Sequence, residues 1–155
     1  MSEITKLPSK ILRSKIQDVS LEDIKNGSLK ELISDMRNAI IEHNGVGLAA
    51  NQLSKNLNLF VIEKKLADEF EVSDVYINTE ITEHSKTNDE MEEGCLSIPG
   101  YFVEIPRSKK VMVKALDENG KKIKFRARGL LARVIQHEVD HLNGLVIKDR
   151  VKKIG

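Results

Sequence analysis

Near the C-terminal end the chain reads QHEVDHLNG over residues 136–144, which places His137 and His141 four apart with Glu138 beside the first. Residues four apart on a helix share a face. Both imidazoles can therefore reach one metal ion at ~2.0–2.1 Å while the glutamate stands near a bound water. The bland reading is a pair of unrelated histidines, and the glutamate between them on an apolar helix argues for the metal. A metal that works on substrate takes three protein ligands and keeps a fourth position open. This helix supplies two of the three. Downstream, GLVIKDRVKKIG holds no His, Cys or Glu, and its Asp149 sits in a lysine-rich tail. Upstream, EEGCLSIPG over 92–100 carries Cys95, the single cysteine of the chain. A thiolate gains from a metal's charge, which lowers the thiol pKa. Gly94 permits close backbone approach, and Pro99 fixes the exit from this stretch. A lone cysteine is by default an inert core residue. Beside a metal-binding helix, Cys95 becomes the third candidate ligand, with His137 and His141.

The elements that must position these groups are legible in outline. With Leu130 at zero and ~100° per residue, His137 and His141 fall within about 20° and Val134 about 40° away. Glu138 lies about 80° round, and Leu131, Ile135 and Leu142 cluster near 100–140° as a core-packing stripe. The helix is expected from about Gly129 to Asn143, with Gly144 ending it. An earlier helix is expected from Ser28, where Ser28 and Glu31 form a capping box ahead of an apolar face at Leu29, Leu32, Ile33, Met36 and Ile40, and Asn44-Gly45 close it. Leu57–Ile62 and Val75–Ile81 read as strands, and 82–93 as a polar loop. Val111–Leu116 and Ile123–Ala127 flank Asn119-Gly120, a type I′ hairpin signal. The expected fold is α+β, mostly antiparallel strands around a C-terminal helix that carries the metal motif, in a single catalytic domain over 1–155.

Composition narrows the function classes. The 155 residues carry 25 Lys plus Arg against 24 Asp plus Glu, a formal charge of +1. No basic field draws the chain to nucleic acid or an anionic membrane. The cluster Arg107–Lys110 and the acidic run Asp89–Glu93 read as solvated faces, and His43 and His84 as surface residues. No apolar run approaches the ~18–20 residues of a membrane span, and MSEITKLPSKILRSK lacks a signal-peptide core. A lone thiol fits a reducing compartment. The expectation is a cytoplasmic protein of a bacterial cell, or of a host bacterium if the chain is viral.

Three stretches taken together, GVGLAANQ (45–52), EGCLS (93–97) and QHEVDH (136–141), resemble the signature motifs of the peptide deformylase family. They stand in the family's order at comparable spacing, and the resemblance runs from about residue 8 to 148. It implies a hydrolase that removes the N-terminal formyl group from formyl-methionyl polypeptides and releases formate. It implies one divalent metal ion on Cys95, His137 and His141, commonly Fe(II), with zinc, nickel or cobalt also suited to a thiolate and imidazole set. Glu138 takes the acid–base role, and the Gln52 side-chain amide with the Leu96 backbone N–H receives the oxyanion. Gly45, Val46, Gly47 and Gly94 lie along the substrate backbone, and Val46, Leu130 and Val134 line the pocket for the methionine side chain. The partners implied are nascent formyl-Met polypeptides, met by a monomer. Many bacterial relatives continue into a C-terminal helix linked to ribosome docking. VKKIG is too short for one, which counts against ribosome association. A zinc metallopeptidase and a non-enzymatic metal-binding relative are the rival readings. Ligand order counts against the first, and retention of both Glu138 and Gln52 against the second.

Overall fold

Successive runs of β-branched and apolar residues build the centre of the molecule, described in a computed structural model over residues 4–6 and 16–150. The strands are β1 (Gly47–Ala49), β2 (Leu59–Ile62), β3 (Val75–His84), β4 (Asn88–Cys95), β5 (Ile98–Ser108), β6 (Lys110–Leu116) and β7 (Lys122–Arg128). The helices are α1 (Leu21–Lys25), α2 (Lys30–Glu42), α3 (Lys64–Glu69) and α4 (Gly129–Leu142). Five strands form one antiparallel sheet in the order β1-β2-β3-β6-β7, and β4 pairs with β5 in a separate two-stranded sheet. All four residues of β2 are buried, as expected of an inner strand covered on both faces. One apolar cluster lies between the sheet and α2, and another between the sheet and α4. This is the expected α+β arrangement, with mostly antiparallel strands around the motif-bearing helix.

Several boundaries differ from expectation for local reasons. A short helix, α1, precedes the expected first helix, capped by Ser20, whose hydroxyl accepts from the Asp23 N–H at 3.1 Å. Ser28 makes no capping box. Its hydroxyl donates to the Asp23 carbonyl, and α2 begins two residues later behind Leu29. At the end of α2 the left-handed residue is Asn44, at φ 53°, and the Gly45 N–H returns to the Ile40 carbonyl at 2.9 Å. The β6–β7 hairpin closes through the Gly120 N–H on the Asp117 carbonyl, with Gly120 alone at positive φ. That is the geometry of a three-residue loop with a glycine bulge, not the two-residue type I′ turn, which needs positive φ at both central positions. Within 82–93 only residues 85–87 are loop, because β3 runs on to His84 and β4 begins at Asn88, pairing with β6 and β5.

Helix α4 ends as expected. Gly144 at φ 77° and the Leu145 N–H on the Asp140 carbonyl form a Schellman closure. Its packing is more complete than an amphipathic pattern suggests, for Arg133, Gln136 and Asp140 are buried along with Leu131, Ile135 and Leu142. These three polar residues share a third face, at about 240–300° on the same wheel. Strand β5 covers it. Gln136 accepts from the Ser108 N–H at 3.0 Å and donates to the Ser108 carbonyl at 2.8 Å, while Arg133 donates to the Ile105 carbonyl at 2.9 Å. Among the described residues no helix is long and apolar enough to cross a membrane. Residues 7–15 of the N-terminal stretch and the VKKIG tail lie outside the described residues.

Candidate active site

The fold brings the three candidate ligands together from distant parts of the chain. Cys95 ends β4, while His137 and His141 face it from α4, and one donor atom from each lies within 4.8 Å of the others. Cys95 Sγ is 3.2 Å from His141 Nε2. His137 turns its Nδ1 to Glu93 Oε1 at 2.8 Å, which leaves Nε2 as its free donor atom. Asp149, the downstream alternative, instead accepts from the Val146 N–H at 2.8 Å.

Glu138 is buried beside this cluster, and its Oε1 makes no hydrogen bond. Its Oε2 faces Gly47, where an added Cβ would stand 2.7 Å from that oxygen. A side chain at position 47 would therefore push the Glu138 carboxylate from its place. Gly45 and Gly94 lie under side chains in the same way, with their added Cβ atoms 3.2 Å from Leu96 Cδ1 and 2.5 Å from Phe102 Cε1. Gln52 lies in a 3-10 turn over Ala50–Leu53, directly after β1, and is buried. Its Oε1 accepts from the Ala49 N–H at 2.9 Å, so its Nε2 is turned toward Ser97 Oγ at 3.1 Å and Cys95 Sγ at 3.7 Å. Leu96 and Ser97 form the turn between β4 and β5. Of the three residues expected around the methionine side chain, Val46 and Leu130 are about half-exposed, at 46% and 45%, whereas Val134 is core at 3%.

One group of functional residues is not evident from the sequence. Glu93 is the one buried carboxylate of an otherwise exposed β4. Arg107 holds it with two bonds of 3.0 Å, Arg133 adds a third, and Arg107 and Arg150 both pair with Asp140. The reading of Asp89–Glu93 and Arg107–Lys110 as solvated faces is therefore corrected at Glu93 and Arg107, which find each other under the β4–β5 hairpin. An available signal was the third polar face of α4, where Arg133 and Asp140 lie on a helix with little exposed surface.

Electrostatics follow from this arrangement. Burial opposes ionisation of Glu93, but the His137 and Arg107 hydrogen bonds outweigh it and hold its pKa down at about 2. Burial pushes Glu138 up to about 7, with Glu93 and Asp140 adding to the shift against His137 and Arg107. Burial also disfavours charge on His137, yet Glu138, Cys95 and Glu93 together raise its pKa to about 10. His141 is driven well below its ordinary value by burial and by the neighbouring His137 and Arg107, so it is neutral, the form a ligand requires.

These observations fit a metal ion. Glu93, Glu138 and the Cys95 sulfur stand around the two imidazoles, and a cation would meet the same groups. A thiolate sulfur with two imidazole nitrogens is a donor set for a first-row transition ion.

The chain is similar to known proteins over nearly its whole length. The polypeptide deformylase family model matches residues 1–155. A peptide deformylase from Thermodesulfovibrio yellowstonii is 41% identical over 152 residues, covering 98% of this chain and 90% of that protein. The crystal structure of a peptide deformylase from Thermotoga maritima aligns with a TM-score of 0.89 at 36% identity, covering 98% of both chains. A class I type b peptide deformylase from Acinetobacter baumannii gives a TM-score of 0.91 at 33% identity, over 97% of this chain and 99% of that one. The chain belongs to the polypeptide deformylase family, metal-dependent hydrolases that remove the N-terminal formyl group from formyl-methionyl chains.

Proposed function

We propose that one catalytic domain over 1–155 carries out deformylation with Cys95, His137 and His141 holding a divalent ion, Fe(II) by preference. The ion supplies Lewis acidity and lowers the pKa of water toward neutrality. Glu138 moves the proton. Its Oε1, buried and without a partner, accepts the proton of the attacking water and later delivers it to the departing amine nitrogen. Formyl amide and water become formate and a free amino terminus, with every proton accounted for.

Gln52 receives the developing oxyanion. Its amide has two N–H bonds, one spent on Ser97 and the other only loosely engaged with Cys95 Sγ at 3.7 Å. The second is free to turn to an oxyanion, alongside the Leu96 backbone N–H. The segment Gly45–Gly47 and Gly94 border the substrate backbone, with Val46 and Leu130 offering apolar surface and Val134 the floor. The reading includes a cytoplasmic monomer acting on nascent formyl-Met polypeptides.

A single observation carries this assignment: an unpartnered buried glutamate oxygen stands beside a cysteine sulfur and two imidazoles. The test is formate release from a formyl-Met peptide by protein purified anaerobically, with metal content measured on the same sample. Expected are one Fe(II) per chain and a Glu138→Ala variant that keeps metal but loses at least about a hundredfold in turnover. Substantial activity in that variant sinks the role of Glu138.

A further inference from the structure

Besides Glu138 Oε1, the buried polar atoms without a hydrogen-bond partner among the described residues include the Asn51 side-chain oxygen and His141 Nδ1. Their residues are already joined, since Asn51 Nδ2 donates to the His141 backbone carbonyl at 2.6 Å. That bond fixes the amide's orientation, because turning it over would set two oxygens against each other. Both residues are almost wholly buried, at 0% and 1% exposure. Buried polar groups are nearly always satisfied, by protein or by ordered water. Here one orphan is an acceptor and the other can be a donor.

The tautomer of His141 follows from its other nitrogen. Nε2 faces Cys95 Sγ at 3.2 Å, so a neutral ring that offers Nε2 to a metal carries its proton on Nδ1. Ligand histidines regularly hand that proton to an acceptor, which sets ring orientation and basicity. His137 has Glu93 for this purpose. We propose that Asn51 is the positioning residue for His141, its carboxamide oxygen taking the Nδ1 proton through one buried water. Both atoms belong to residues already in direct contact through the Asn51 amide and the His141 carbonyl. The inference rests on the ligand role proposed for His141.

The experiment uses zinc-loaded protein with ¹⁵N-labelled histidine. In the wild type, His141 Nε2 shifts on zinc loading and the Nδ1 proton exchanges slowly with solvent. Asn51→Leu removes both the clamp on the carbonyl and the acceptor. Zinc affinity, read by chelator competition, is expected to fall ~10–100-fold, with fast exchange at Nδ1. Asn51→Asp keeps an acceptor for Nδ1 but sets an oxygen against the His141 carbonyl, so slow Nδ1 exchange is expected to survive in it even as zinc affinity falls. A structural role for the clamp alone would leave Nδ1 exchange equally fast in both variants, which overturns the proposal. So does unchanged affinity and exchange in Asn51→Leu. Should that variant fail to fold, fast Nδ1 exchange in the wild type overturns it without any substitution. A His141 Nε2 that does not respond to zinc is a different result, removing the ligand reading itself and this inference with it.

Discussion

The two candidate histidine ligands sit one helical turn apart, yet the protein supports them in opposite ways. His137 leans on a charged region, where Glu93 is shared by its ring, Arg107 and Arg133, with Asp140 behind. On the other side, around Cys95 and the His141 backbone, stand neutral carboxamides and hydroxyls: Asn51 holds the His141 carbonyl, and Gln52 reaches Ser97 and Cys95. The charged region joins pieces of chain, since Glu93 is on β4, Arg107 on β5 and Arg133 on α4. It therefore fastens the hairpin that carries Cys95 to the helix that carries the histidines. The neutral region aims groups without adding charge near a site that must accept both a cation and an oxyanion. One side is chiefly architecture, and the other is chiefly direction.

The sharpest way to break this contrast is Glu93→Leu. It leaves Arg133 with carbonyl acceptors only and Arg107 with Asp140 alone, and removing one partner of a buried ion pair typically costs about 3–5 kcal/mol. We expect a loss of that size in urea unfolding of the metal-loaded protein, together with weakened metal retention. A variant as stable as wild type would show that the network does not hold the hairpin.

On the neutral side, Gln52→Leu is expected to reverse the pattern. The bonds to the Ala49 N–H and the Ser97 hydroxyl go, with the long contact to Cys95 Sγ, costing roughly 1–2 kcal/mol of folding stability. Turnover in the formate assay should fall by ~10²–10³ with metal content unchanged, the usual cost of one oxyanion donor. A loss no larger than the stability change explains would remove Gln52 from the reaction.

The charged side should also announce itself in acid. The folded pKa of Glu93 is depressed from 4.5 to about 2, so its contribution is complete above the unfolded value and is lost as pH falls through the folded one. Glu93→Gln should therefore be less stable than wild type near neutrality. The gap should close between about pH 5 and pH 2, because only the wild type must protonate this carboxylate to unfold. Urea midpoints of metal-free protein across that range give the answer, and parallel curves would place the charge network outside the pH dependence.

What the sequence disclosed follows the same division. The His-Glu-His helix and its cysteine were legible because metal chemistry restricts residue types and spacing at close range. The strands β2, β6 and β7 were legible from their apolar patterning. Glu93 was hidden because it is the only buried member of an acidic, otherwise exposed strand, and its partners Arg107 and Arg133 are 14 and 40 residues away. Asn51 was hidden because a carboxamide becomes informative only once its neighbours are known. The mistaken loop over 82–93 has a related cause, since polar residues in a strand with solvent on one side mimic a loop until the partner strand is seen.

The smallest predicted effects concern the apolar residues proposed to border the methionine side chain, and they separate recognition from packing. Leu130 and Val134 share one face of α4, but Leu130 is 45% exposed and Val134 3%. Truncating a half-exposed side chain leaves the core intact, so Leu130→Ala should scarcely move the unfolding midpoint. If it touches substrate, its lost apolar contact is worth on the order of 1 kcal/mol, or about fivefold in kcat/KM. Val134→Ala opens space between α4 and the sheet and should cost roughly 2 kcal/mol of stability. Measuring kcat/KM and urea unfolding on both variants decides the matter. A Leu130→Ala protein with unaltered kcat/KM would leave substrate contact to Val46 and the core-facing Val134, and would confine recognition to the neutral side of the site.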